Sequence, residues 1–345
     1  MGLGERKARI LAAVVQDYIE TAEPIGSEAL AQRYNFGVKP ATIRNELAAI
    51  SEMGYLRQPH TSAGRVPSDL GYRYYVDELM PTPTLEPEVS CRARESYEPM
   101  GSEIDSILQQ TCRILSAITC YTSMATPPQM ETICINQAAL LAVGTGKLLI
   151  ITVLNSGHID HRYIDHKAEI KPSELVMLGN LINERFCGIE LADFFEKAKQ
   201  ELPSGLQPLL WLYNRAVTAM RQALAAATNK NIYLDGTSNM LRQPEFLTGN
   251  RIAAILDALE ERRTLFQVLS SAILGRDVTV IIGSENRLSE MQECSVVVSR
   301  YMLGDKVCGS IGVVGPTRMD YSHTVAAVRF MAENLSELLT SLYVE

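Results

Sequence analysis

The sequence predicts a multidomain α+β protein, and three observations carry that reading. The chain has 345 residues, enough for two or three domains with cores of their own. Its first eighty residues read as short helices closed by a hairpin, whereas the chain beyond residue 100 alternates apolar extended runs with long helical stretches. Between the two lies "PTPTLEPEVSCRARESYEPM" at 81–100, rich in Pro and Glu, which reads as a linker.

Composition narrows the class. A hydrophobic fraction of 46% and a charged fraction of 21% belong to a globular chain, not to a disordered one. No run of about 18 apolar residues is present, so no membrane span is expected. The start, MGLGERKARI, lacks an apolar core segment, so no secretory signal is expected. Seven cysteines, at 91, 112, 120, 134, 187, 294 and 308, form no C-x-x-C pair. Free thiols in a reducing cytoplasm are the simplest reading. The net charge of −8 argues against nucleic acid as a partner of the chain as a whole. A local count differs: residues 36–75 hold Lys39, Arg44, Arg57, Arg65 and Arg73 against Glu46, Glu52 and Asp69, with His60 in addition.

The first eighty residues follow in order. Ile10, Leu11, Val14, Val15, Tyr18 and Ile19 recur at helical spacing and predict a helix from about Glu5 to Glu20. "EPIGS" breaks it, and Ser27 is the expected N-cap of a short second helix from Glu28 to Tyr34. Pro40 occupies the favoured first position of a third helix, with Ile43, Leu47 and Ile50 inward and Gly54 ending it. "YLRQPHTSAGRVPS" reads as a hairpin of Tyr55–Gln58 and Arg65–Pro67. A fourth helix starts from Ser68 with Tyr72, Tyr75, Val76 and Leu79 inward.

Three helices followed by a hairpin make a winged helix-turn-helix. Such a module lays its third helix in the major groove, so that helix needs small residues for close approach and polar ones for base edges. Ala41, Asn45 and Ala48 lie opposite the inward stripe, with Thr42 and Arg44 on the flanks. Asn can bond adenine, Arg guanine, and Ala or Thr methyls touch a thymine methyl. Ser27 and the amides at the start of the second helix suit phosphate. Arg57, His60 and Arg65 on the wing suit phosphate or the minor groove. From pattern alone, a solvated helix face beside a surface hairpin, or a protein-binding module, remains open.

The stretch from Arg6 to Leu79, "RKARILAAVVQDYIETAEPIGSEALAQRYNFGVKPATIRNELAAISEMGYLRQPHTSAGRVPSDLGYRYYVDEL", closely resembles the N-terminal domain of the bacterial heat-inducible transcription repressor family, HrcA. "GTSNMLRQPEF" at 236–246, "IGSEN" at 282–286 and "GPTRMDY" at 315–321 resemble the same family, so the likeness spans nearly the whole chain. The resemblance implies a homodimer that represses chaperone operons from an inverted-repeat operator on double-stranded DNA, kept active by the GroE chaperonin. It further implies a GAF-like domain interrupted by an inserted dimerising domain. On that basis the expected domains are 1–80 winged helix, 81–100 linker, 101–159 with 241–345 GAF-like, and 160–240 inserted and dimerising. One departure stands out: Lys39 occupies the place of the serine usual before "PATIR". Lysine gives up a cap of about 1 kcal/mol and brings a charge that reaches a phosphate.

Beyond 100, a helix is expected over about Ser102–Ser123, then strands over Thr132–Val143 and Lys147–Asn155 joined by "GTGK". That turn is no phosphate loop, because Leu141 and Leu148 stand where a glycine and a Ser or Thr are required. "HIDHRYIDH" brings His158, His161 and His166 beside Asp160 and Asp165, but strand alternation splits them between faces, so a polar edge strand is expected and no metal site. Ser173–Thr228 reads as helical. Its stripe of Leu206, Leu210, Tyr213, Val217, Met220 and Leu224 either fills a core or seals a partner helix, and the dimer interface is expected there. "NIYLDG" reads as a returning strand, 251–274 as a helix, 278–282, 295–302 and 307–314 as strands, and 321–342 as a last helix. No G-x-S-x-G or H-E-x-x-H occurs, so no enzyme and no cofactor are expected. The alternative class is a ligand-sensing α+β protein with an accessory winged helix.

Overall fold

The computed structural model describes residues 3–60, 63–97, 104–128, 134–144, 146–155, 159–166, 170–189, 191–228, 232–246 and 277–343, with the single positions 255, 259, 265 and 269. The chain opens with helices α1 (Glu5–Thr21), α2 (Ser27–Arg33) and α3 (Pro40–Glu52). Their apolar stripes meet: Ile10, Leu11, Val14, Leu30, Ile43 and Ile50 are completely buried. Strands β1 (Leu56–Arg57) and β2 (Val66–Pro67) pair antiparallel as a hairpin. Helix α4 (Asp69–Tyr74) follows, capped by the Ser68 hydroxyl accepting from Gly71 N, and runs on into a π turn at Tyr75–Leu79. The N-cap of α2 is Gly26; Ser27 is the first helical residue and makes no cap bond, which corrects the expected start by one position.

Residues 81–100 are not all linker. Pro87–Glu95 form helix α5, started by a proline at its first turn. Ala93 of α5 is buried, and Arg94 donates to Asn334 Oδ1 and lies over the Phe330 ring.

The body is a five-stranded antiparallel sheet in the order β7–β3–β10–β9–β8, built from β3 (Thr122–Ala125), β7 (Tyr233–Asp235), β8 (Val278–Ile282), β9 (Cys294–Leu303) and β10 (Lys306–Pro316). Helices α6 (Ile104–Thr119) and α10 (Tyr321–Tyr343) cover one face through Val297, Ile311 and Val313. Met240, Phe246, Ile255, Leu259, Leu265 and Leu269 pack on the other face, against Val296, Val298 and Val314. Burial on both faces is why β9 and β10 read as unbroken apolar runs and not as alternating ones. Apart from its four described positions, the expected helix at 251–274 lies outside the described residues. The helix expected to reach Ser123 ends at Thr119. Cys120 takes a left-handed φ of 56°, which turns the chain into β3, a strand that sequence reading missed.

The inserted unit is larger at its start and smaller at its end than the expected 160–240. Strands β4 (Ile135–Ala142), β5 (Lys147–Leu154) and β6 (Ile159–Asp165) form a separate three-stranded sheet in that order. Its inner face, with Ile135, Leu148, Ile150 and Leu154, shares a core with α7 (Pro172–Phe186), α8 (Leu191–Ala198) and α9 (Leu210–Thr228). The unit therefore begins before residue 135, and β7 at 233–235 already belongs to the body sheet. Of the expected stripe, Leu206 in the 3-10 turn before α9 and Tyr213, Met220 and Leu224 in α9 are buried in this core, Val217 is half-buried and only Leu210 is exposed, so the stripe is used within the chain. Trp211 is half-buried and stacks on His166. Strand β6 is an edge strand; His158 lies outside the described residues.

Candidate nucleic-acid interface

Helix α3 has two unlike faces because 3.6 residues per turn separate i, i+4 and i+7 from the positions between them. Ile43, Leu47 and Ile50 are buried against α1 and α2, whereas Ala41, Arg44 and Asn45 are exposed and Thr42 and Ala48 are half-buried. The side chains of Arg44 and Asn45 make no hydrogen bond or ion pair with another described residue. Lys39 is the N-cap; its carbonyl accepts from Thr42 N and Ile43 N, and its side chain is exposed with no cap bond. Arg57 and His60 are exposed on the hairpin, whose tip residues 61 and 62 lie outside the described set. Ser27 is half-buried at the start of α2.

Arg65 differs from the other wing cations. Its Nε donates to Ser51 Oγ at 3.0 Å, and Ser51 in turn donates to Leu47 O, so the guanidinium ties the hairpin to the end of α3. The backbone of Arg65 also bridges Ile25, with N–H···O contacts of 2.9 and 2.8 Å. Here Gly64 is required: a Cβ on it would come within 2.4 Å of the Ile25 carbonyl carbon and oxygen. Gly64→Ala is expected to push the hairpin off this seat and weaken both bridge bonds, a loss of about 1–3 kcal/mol. Thermal unfolding checks it, and an unchanged melting temperature would mean that the hairpin is not held here.

Sequence reading missed the residues that fix the module's shape. Asp17, only 2% exposed, accepts from Tyr34 Oη at 2.8 Å and pairs with Arg33 at 2.8 Å, locking α1 to α2. Burial and this carboxylate push the Tyr34 hydroxyl up to about 12. Glu46, on the flank of α3, pairs with Lys7 at 2.9 Å and so is turned away toward α1. Arg44 has no partner among the described residues, and the exposed Glu52 lies at the far end of the helix. An acid at the centre of an apolar helix stripe, as Asp17 is, was the available sequence signal.

The fold and site define a modular α+β protein: a helix-hairpin head with one bare polar helix face, a body whose sheet is covered on both faces, and an inserted helical and sheet unit. Among the described residues no helix is long and apolar enough to cross a membrane, and no group of three metal-ligating side chains occurs. Residues 105–325 match the family described as HrcA protein C terminal domain. The heat-inducible transcription repressor HrcA of Moorella thermoacetica is 38% identical over 99% of this chain and 100% of its own length. That of Symbiobacterium thermophilum is 37% identical over 97% of this chain and 98% of its own. A crystal structure of a hypothetical protein shares the fold at a TM-score of 0.73, covering 99% of this chain and 100% of that one, at 21% identity. The chain belongs to the HrcA family of heat-inducible transcription repressors.

Proposed function

We propose that this protein represses heat-shock operons by binding an inverted-repeat operator as a homodimer, with α3 in the major groove. The observation that carries the reading is the exposed face of Ala41, Arg44 and Asn45, with no partner among the described residues, on a helix whose other face is sealed. A helix kept only for packing has no use for an unpaired Arg and Asn between alanines. Lys39, Arg57 and His60 surround that face with groups that suit phosphates, which hold register without reading sequence. The family resemblance supports two further parts: chaperone operons as targets and the GroE chaperonin as modulator.

Dimerisation has support in the inserted unit. The outer face of its sheet carries Leu149, Ile151 and Val153 in the centre, flanked in register by Leu141, Tyr163, His161 and Ile159. Leu141, Ile159 and Tyr163 are 47%, 42% and 63% exposed. An apolar sheet face left open on a monomer suits a self-complementary two-fold contact.

The test is a gel shift with a fragment spanning the promoter of a chaperonin operon, against scrambled DNA of equal length. Specific retention of the promoter fragment is expected. Arg44→Ala and Asn45→Ala should each cost about 1–3 kcal/mol of that affinity with unchanged unfolding. If both variants bind like the parent, α3 is not the reader. Arg57→Ala should weaken specific and non-specific DNA alike and lower the salt slope by about one unit. A changed sequence preference at an unchanged slope would make the wing a base reader instead.

A further inference from the structure

Three motifs far apart in sequence meet on one face of the body, against α1 and α4. Arg318, in "GPTRMDY", donates Nη1 to the Ile19 carbonyl at 2.6 Å, near the end of α1. The same guanidinium is held from behind by the Glu245 carboxylate and Gln243 Oε1 of "GTSNMLRQPEF". In "IGSEN", Glu285 accepts from Arg73 Nε of α4 at 2.8 Å, and Arg73 Nη2 reaches the Val280 carbonyl at 2.6 Å. Ser284 N donates to Asp69 Oδ2 at 2.9 Å, and Asn286 braces the loop by donating to the Gly283, Met291 and Cys294 carbonyls. Between the two clasps the Tyr72 and Tyr321 rings pack with centroids 5.7 Å apart.

We propose that Arg318 and Arg73 are positioning residues that fix the angle of the reading head on the body, and so set the half-site spacing the dimer accepts. The inference rests on the repressor reading above. The clasps grip α1 and α4, and neither touches the exposed face of α3. The head is therefore held without loss of its reading surface. Two charged attachments flanking a ring contact resist rotation, which a single contact does not. Burial raises the Glu285 carboxyl, but Arg73 and the Ile282 N–H outweigh that and hold it below the usual carboxylate range, so this clasp is ionised at neutral pH. Tyr72 is 2% exposed, and its hydroxyl finds no partner among the described residues. Such a group weakens the ring contact it sits in, and the apolar packing that head and body share is non-directional, so the clasps are what give the seat its angle.

The geometry has a direct consequence. A dimer gains affinity on a repeat because the second half-site is bound from a high effective concentration, and that gain exists only where the held geometry matches the spacing. Loosening the clasps spreads the heads over many angles. Binding to one half-site is untouched, but the match to the best spacing is diluted.

The experiment uses the intact protein and duplexes recovered by selection from a random pool. Spacers between the half-sites are then changed one base pair at a time, and a single half-site serves as reference. The parent is expected to prefer one spacing sharply. Arg318→Gln with Arg73→Gln should keep half-site affinity within about twofold, lose about tenfold or more at the best spacing, and show a flattened spacer profile. Glu285→Gln, which retains the loop and breaks one clasp, should move the profile the same way by less. Arg318→Lys, which cannot hold Ile19 and Glu245 together, should fall between the parent and Arg318→Gln. A spacer profile identical to the parent's in the double variant and Glu285→Gln overturns the proposal. So does a parallel fall on half-site and repeat, which marks a purely structural role. A parent that binds the repeat no better than the half-site removes the repressor reading and this inference with it.

Discussion

Ile151→Lys together with Tyr163→Lys is expected to leave the protein monomeric and to lower its affinity for an inverted repeat by about 10²–10⁴-fold, the range commonly gained by linking two sites. Affinity for a single half-site should be unchanged. Both side chains lie on the outer face of the inserted sheet, Ile151 opposite His161 on the edge strand and Tyr163 opposite Leu149. Neither belongs to the buried side of the unit, whose core is made by Leu148, Ile150 and Leu154 with the helices. Two lysines on a self-complementary face meet their own copies in a two-fold dimer, so each charge would be desolvated beside a like charge. Folding of the unit should survive, because Tyr163 is exposed and the half-buried Ile151 lies on the face of the sheet turned away from the core. Light scattering at micromolar concentration decides it: a variant that still runs as a dimer puts the interface elsewhere, on α9 or on the body.

Ile43→Ala and Arg44→Ala should separate stability from reading at adjacent positions. Ile43 of α3 is fully buried against α1 and α2, and its truncation is expected to cost about 2–5 kcal/mol, since the site can close only partly over the lost methylenes. The first eighty residues form a small unit, so a loss of that size is a large fraction of its stability. DNA binding by this variant should fall at raised temperature and recover on cooling, in step with the folded fraction. Arg44→Ala should do the opposite, with full folding and weak operator binding at every temperature. Circular dichroism melting read beside a gel shift at two temperatures checks the pair. Equal melting curves would mean that Ile43 packs too loosely to matter.

Local chemistry was enough to read the head of this protein. Pro40 at a first turn, the stripe of Ile43, Leu47 and Ile50, and Gly54 after the last turn are signals within one helix length, and α3 runs over Pro40–Glu52 as they require. The exposed groups on the same helix were legible for the same reason, because a helix fixes the direction of each side chain once its inward stripe is known. The runs "CSVVVS" and "CGSIGVVG" were legible as strands because burial on both faces leaves no polar alternation.

What the sequence left undecided depends on partners distant along the chain. Strand β3 exists because it pairs with β10 almost two hundred residues later and with β7, and nothing within its four residues announces that pairing. Strands β4 and β5 have the same local pattern as a body strand, and only their packing on α7 and α9 assigns them to the inserted unit. The α9 stripe is equally apolar whether it seals a partner or its own core; the three-stranded sheet lying on it chose the core. Arg65 carries the same charge as Arg57, yet Ser51 and Ile25 make it a brace of the wing. Arg73 and Glu285 are 212 positions apart, and their clasp arises only where α4 meets the body. Periodicity encodes which face of an element is apolar, because that is a property of neighbours in sequence. Which surface that face meets is set by the competition among all apolar faces of the folded chain, and only the tertiary structure resolves it.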